Sequence, residues 1–125
     1  MSYLLDTHIL LWWLADAPAL SSKVRSLMSD ENTIIFVSAA STWEIIIKKA
    51  LGKLKAPDDL GKVLKESMFK ELSMTTVHTF AIKDLPNHHS DPFDRMLVAQ
   101  AKCDNLTLIT SDEKLLLYDI RYIKA

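Results

Sequence analysis

Short apolar runs alternate along the chain with longer stretches in which apolar residues recur every three or four positions. The clearest run, "TIIFVS" at 33–38, is rich in β-branched residues, as is typical of a buried strand. The other short runs predict strands at 3–6, 71–74, 106–110 and 121–125. The periodic stretches predict helices at 7–16, 22–30, 41–54, 57–70, 75–85 and from Asp91 onward, with one or two helical turns within 111–118.

Strands that alternate with helices predict an α/β fold. We expect a single domain with a parallel sheet of four or five strands, flanked by helices on both faces. The stretch 41–54 is predicted to be an amphipathic helix, because Trp43, Ile46, Ile47, Ala50 and Leu51 share one face.

Composition narrows the class of protein. The 125 residues are 49% hydrophobic, which suits one globular domain and argues against disorder. Cys103 is the single cysteine, so we expect no internal disulfide and a reducing, cytoplasmic environment. The first apolar stretch is interrupted by Asp6 and His8 and has no basic flank, so we expect no signal peptide.

The net charge of −1 does not identify a partner. The lysine-rich segment 48–65 is open to two interpretations, a solvated helix face or a patch that contacts phosphate.

Four carboxylates lie at junctions between predicted strands and helices. Asp6 ends the first strand, Glu44 is placed in the first turn of the helix after the second strand, Asp94 opens a late helix, and Asp112 follows "LTLIT". In an open α/β sheet such junctions gather at the carboxyl edge, where ligands bind.

Each carboxylate also has a purely structural interpretation. Asp91 and Asp94 suit the start of a helix, the first as its N-cap. Ser41 and Glu44 match the capping box, and Asp6 could close an Asx turn. Asp112 would favour the dipole of a short helix.

Taken together, four carboxylates at one sheet edge would repel one another unless some took up protons or a dication joined them. Ligands that are all oxygen suit Mg²⁺ or Mn²⁺ rather than Zn²⁺. Such ions act on phosphoryl groups, so the pattern indicates hydrolysis of phosphate esters.

Basic residues beside these acids have weaker assignments. His88 and His89 are adjacent and have no partner at a zinc-type spacing, so we expect loop packing or contact with substrate phosphate more than metal ligation. Arg95 is expected to pair with a nearby acid, with phosphate contact as the alternative.

Four ordered motifs, "LLDTHILLWWL", "SAASTWEIIIKKALGKL", "HHSDPFDRMLVAQA" and "LTLITSDEKL", resemble a PIN domain, and more narrowly the VapC-type toxins of bacterial toxin–antitoxin pairs. The resemblance implies one PIN domain over residues 1–125 and a metal-dependent endoribonuclease that uses Mg²⁺ or Mn²⁺. It also implies RNA as the substrate, a homodimer, and a cognate VapB-type antitoxin that covers the acidic pocket.

The resemblance also implies roles for individual residues. The catalytic and metal-binding set would be Asp6, Glu44, Asp94 and Asp112. Residues that would support these ligands or contact substrate are Thr7, Ser38, Asp91, Arg95 and Thr110. Glu44 and Asp112 are both candidates for the group that accepts the proton of the attacking water.

Four other functions are alternatives to a toxin nuclease. A PIN domain could serve RNA processing, or could bind a partner without catalysis, although a silent copy would not need four carboxylates. A signalling receiver domain would need paired acids after the first strand, where Asp6 stands alone. With only Gly52 and Gly61, the chain cannot build a glycine-rich nucleotide loop.

Overall fold

The computed structural model describes all 125 residues and contains one parallel sheet of five strands. The strands are β1 (Ser2–Leu5), β2 (Ile34–Ser38), β3 (Lys70–Leu72), β4 (Thr107–Thr110) and β5 (Tyr122–Lys124). The helices are α1 (Thr7–Leu14), α2 (Ser22–Ser29), α3 (Ala39–Ala50), α4 (Leu60–Glu66), α5 (Thr76–Ile82) and α6 (Pro92–Cys103), with a 3₁₀ turn at Leu115–Leu117. The predicted fold class is confirmed.

The order of the strands in the sheet is β3-β2-β1-β4-β5. From β1 the chain moves outward through β2 and β3, then returns to the other side of β1 for β4 and β5. Leu5 of β1 lies opposite Ile109 of β4, and the Asp6 N–H donates to the Ile109 carbonyl over 3.0 Å. The chain connections therefore run in opposite directions on the two sides of β1 and β4, which makes this position the switch point of the sheet. The carboxyl ends of β1 and β4 flank the crevice where such sheets bind ligands.

Two apolar cores hold the sheet between helices. Successive side chains of a strand point to opposite faces, so Leu4 and Leu108 pack against α5, α6 and the 3₁₀ turn. Leu5 and Ile109 enter the other core, with α1, α2 and α3. Helices on both faces are thus confirmed. None of the helices is both long and apolar enough to cross a membrane.

Helix α4 is much shorter than the predicted helix at 57–70. Asp59 precedes it without a side-chain cap. The Ser67 hydroxyl donates to the Leu64 carbonyl over 2.6 Å and accepts from the Phe69 N–H over 3.2 Å, which ends the helix after Glu66. Residues 111–118 likewise form only the 3₁₀ turn.

The predicted apolar face of α3 is wrong. Trp43 and Ile46 are 52% and 65% exposed, whereas Glu44 and Ile45 on the adjoining face are buried. Helix α3 packs against α1 and α6 with the face that carries Glu44 and Ile45. The helix therefore presents a carboxylate to the interior and leaves apolar side chains at the surface.

Candidate metal centre

Asp6 connects β1 to α1 and is 2% exposed. Its Oδ1 accepts the His8 N–H over 3.1 Å, which caps α1. Its Oδ2 accepts the Thr110 hydroxyl over 2.5 Å. Burial raises the pKa of Asp6, and the hydrogen bond from Thr110 opposes that rise. Asp6 is therefore both a helix cap and a buried acid at the switch point.

Thr110 joins the carboxyl ends of the two central strands. Besides donating to Asp6, its Oγ1 accepts the Asp112 N–H over 3.0 Å. The Asp112 carboxylate accepts the Lys114 N–H at Oδ1 over 2.9 Å. The turn after β4 therefore directs Asp112 toward the same edge as Asp6.

Thr110→Val is expected to lower the free energy of unfolding by about 1–3 kcal/mol, because buried Asp6 loses a donor and the Asp112 N–H loses its acceptor. Thr110→Ser keeps both bonds and should retain most of the stability. Thr107→Val, a buried threonine on the same strand, is the control for loss of a hydroxyl. Equal losses for the two valine variants in urea unfolding would contradict the assigned role of Thr110.

The start of α6 brings a second pair of acids to this edge. Asp91 is the N-cap, since its Oδ1 accepts the N–H groups of Phe93 and Asp94 over 2.8 and 3.1 Å, and Pro92 occupies the first turn. The interpretation of Asp91 as a cap is confirmed. Asp94 is the acid of this pair with an oxygen close to Asp112, so it is the one that faces the site.

Glu44 reaches the site from the second turn of α3, not from the first. The helix begins at Ala39, and Ser38 caps it by accepting the Ala40 N–H over 3.0 Å. Ser41 is therefore inside the helix, and the predicted capping box with Glu44 is wrong.

The Glu44 side chain is buried, and its two carboxylate oxygens have different surroundings. Its Oε2 pairs with the Lys48 ammonium, and this bond is the main reason that the pKa of Lys48 is raised. Its Oε1 is buried and has no hydrogen-bond partner. The Lys48 ammonium also lies 3.8 Å from Asp91 Oδ2.

Burial and neighbouring acids both act on the pKa of Asp94. Its pKa is raised to about 8, first because the carboxyl is buried. The negative charges of Asp6, Asp91, Glu44 and Asp112 raise it further. Of the four predicted ligands, Asp94 and Asp112 have oxygens close enough to share an ion, while Asp6 and Glu44 act on Asp94 through their charge.

His89 is a member of the site that the sequence did not reveal. Its Nε2 lies 2.9 Å from Asp112 Oδ2 and 3.2 Å from Asp94 Oδ2. These three side chains form a group with atoms close enough to share a metal ion. The adjacent His88 instead stacks edge-on against Tyr118. The one sequence signal was the position of His89, two residues before the α6 cap.

The other predicted residues, Thr7, Ser38 and Arg95, form hydrogen bonds within the protein. Thr7 donates to the Ser41 hydroxyl over 2.9 Å, and Ser38 donates to Gln100 Oε1 over 2.6 Å. The expected pairing of Arg95 with an acid is wrong. Its guanidinium donates to the Tyr118 hydroxyl and to the carbonyls of Ile82, Leu85, Pro86 and His89, so it braces the loop before α6.

This donor set fits a hard dication. Carboxylate oxygens dominate it, and the buried Glu44 Oε1 has no partner from the protein. An unsatisfied buried carboxylate oxygen costs free energy that a bound cation would recover. Oxygen ligands of this kind suit Mg²⁺ or Mn²⁺.

Comparison with known proteins identifies the family of the chain. The sequence profile of the PIN domain matches residues 3–120, nearly the whole chain. The chain belongs to the PIN domain family. A search of curated protein sequences finds no significant match.

Three solved structures share the PIN fold over almost the full length. VapBC2 from Rickettsia felis, bound to a DNA fragment from the promoter, has 19% identity and a TM-score of 0.74, covering 99% of this chain and 98% of the other. FitAcB from Neisseria gonorrhoeae has 17% identity and a TM-score of 0.70, covering 98% and 96%. A toxin–antitoxin complex from Klebsiella pneumoniae has 16% identity and a TM-score of 0.65, covering 98% and 97%.

Proposed function

We propose that the protein is a metal-dependent endoribonuclease and the toxin of a VapBC-type toxin–antitoxin pair. The observation that carries this proposal is the group of Asp94, Asp112 and His89, whose atoms lie close enough to share an ion, beside buried Asp6 at the switch point of the sheet. Membership of the PIN domain family supports nuclease activity. The toxin–antitoxin complexes with the same fold support the biological role.

In this proposal Asp6, Glu44, Asp94 and Asp112 hold the cation. When bound, Mg²⁺ or Mn²⁺ lowers the pKa of a water and neutralises charge on the phosphate and the departing 3′ oxygen. Glu44 and Asp112 are the two candidates for the group that accepts the proton of the attacking water. Lys48 keeps Glu44 in place through Oε2.

Purified protein is expected to cleave single-stranded or looped RNA in Mg²⁺ or Mn²⁺, because the carboxylates need the dication to act on phosphate. EDTA should stop cleavage, and excess Mg²⁺ should restore it. Cleavage that persists in EDTA would contradict the metal-dependent mechanism.

We also propose a VapB-type antitoxin and a homodimer as the protein's assemblies. A basic side chain of the antitoxin that reached these acids would compete with Lys48 for Glu44 and Asp91. A cleft of about 620 Å³ lies between α3, α4 and β3 and is lined in part by Ile46, Leu64 and Phe69. Its apolar lining would accept an antitoxin segment.

Exposed apolar side chains on α5, Val77 and Phe80, offer surface for a second copy of the chain. A homodimer would give twice the 14.2 kDa chain mass in light scattering, and a monomer at micromolar concentration would argue against it.

The toxin role has its own test in cells. Induced expression should arrest growth, and co-expression of the cognate antitoxin should relieve the arrest. Harmless expression of a protein that cleaves RNA in vitro would remove the toxin role and favour RNA processing.

A further inference from the structure

The imidazole of His89 is held from several directions. Its side chain is 13% exposed, and its Nδ1 accepts the Asp91 N–H over 3.0 Å. Its backbone N–H donates to the Tyr118 hydroxyl over 3.0 Å, and Arg95 donates to its carbonyl. The ring therefore has a fixed orientation, with Nε2 directed at Asp112 and Asp94.

Distances alone allow two roles for Nε2. Neighbouring ligands in an octahedral site with bonds near 2.1 Å lie about 3 Å apart, so Nε2 and the two carboxylate oxygens could share an ion. A hydrogen bond from Nε2–H to a carboxylate has the same length.

The hydrogen bond at Nδ1, on the other side of the ring, decides between these two roles. Because Nδ1 accepts the Asp91 N–H, it carries no proton, and the proton of the imidazole must be on Nε2. A protonated Nε2 has no lone pair for a metal ion. Ligation would require the ring to give up its contact with the backbone at the α6 cap.

We propose that His89 is a positioning residue of the metal centre and not a ligand: its Nε2–H donates to Asp112 and orients that carboxylate toward the cation beside Asp94. The inference rests on the proposed function, since it presupposes a metal at these acids. Asp94 Oδ2 lies 3.2 Å from the same nitrogen without a hydrogen bond to it, so this oxygen stays available to the cation. The α6 cap thereby connects the backbone of Asp91, through the His89 ring, to the orientation of Asp112.

The test is Mn²⁺ binding followed by electron paramagnetic resonance. His89→Leu should weaken Mn²⁺ affinity by about 10–100-fold, the usual effect of losing a group that orients a ligand. His89→Gln keeps an N–H donor and should recover most of the affinity. His88→Leu, which removes the exposed neighbouring histidine, should leave the affinity unchanged. The electron spin-echo spectrum of the wild type should show no ¹⁴N coupling from a directly bound imidazole.

A directly bound ¹⁴N in the wild type would overturn the proposal in favour of ligation, and unchanged affinity in His89→Leu would overturn any role. If His89→Leu does not fold, as judged by circular dichroism, His89→Gln and the wild-type spectrum still decide between donor and ligand.

Asp94→Asn distinguishes failure of the metal centre from failure of the role of His89. Wild-type protein that binds Mn²⁺ no better than Asp94→Asn overturns the metal centre and this proposal together. Loss confined to Asp94→Asn overturns the role of His89 alone.

Discussion

Asp94→Asn is expected to reduce RNA cleavage at least about a thousandfold, because loss of several kcal/mol of charge stabilisation at the metal slows the chemical step by that factor. Asp94 is the acid on which the other carboxylates converge. Its amide has nearly the same shape but cannot neutralise a dication. Asp6→Asn should have a similar effect, because Asp6 is buried at the switch point. The measurement is the rate of RNA cleavage in Mg²⁺ and in Mn²⁺.

Asp84→Asn is the matched control, since Asp84 is exposed in the turn after α5. It should cleave at the wild-type rate. Circular dichroism should show that all three variants are folded. Cleavage retained by both the Asp6 and Asp94 variants would remove the assigned catalytic site.

Metal-free wild-type protein is expected to lose stability as the pH rises from about 4 to about 8. The folded-state pKa of Asp94 is about 8 against an ordinary value of 3.8, so in this range the folded protein holds a proton that the unfolded chain has released. Raising the pH therefore favours the unfolded state, by several kcal/mol in all. Burial also raises the pKa of Asp6, which adds to the trend.

Asp94→Asn should remove most of this slope. At about pH 8.5 in EDTA its melting temperature should exceed that of the wild type by at least about 5 °C. Adding Mg²⁺ should raise the melting temperature of the wild type but not of Asp94→Asn, because only the intact site binds the ion. A thermal-melt series from about pH 5 to about pH 9 measures both effects. A flat wild-type profile, or a variant less stable at every pH, would contradict the electrostatic account of the site.

The gathering of the acids was predictable because it follows from topology. Asp6 and Asp112 follow adjacent parallel strands, and Asp94 follows a helix cap that the sequence marks with Asp91. Such junctions meet at one edge whatever the details of packing. The capping and metal-binding interpretations of Asp6 are also compatible, since it caps α1 while it faces the cluster.

Details that depend on a choice between similar residues were not predictable. Ser38 and Ser41 can both cap a helix, and the structure uses Ser38, which shifts Glu44 from the first turn to the second. The apolar periodicity of α3 favoured the face with Trp43 and Ile46, but contacts with α1 and α6 bury the face that carries Glu44. Tertiary packing decided both outcomes.

His89 was missed for a different reason. Its role depends on a loop that folds back over the acids, and that path is set by long-range bonds from Arg95 and Tyr118. The spacing of His88 and His89 excluded a zinc site, but spacing carries no information about a hydrogen-bond donor contributed by a loop.

The central claim is that the acids at the switch point share a dication. A crystal grown in saturating Mn²⁺ and measured at the manganese absorption edge tests it directly. The account predicts an anomalous peak bonded to Asp94 and to at least one of Asp6, Glu44 and Asp112. An ordered cluster with no peak, each carboxylate bonded only to its own helix or turn, would contradict it.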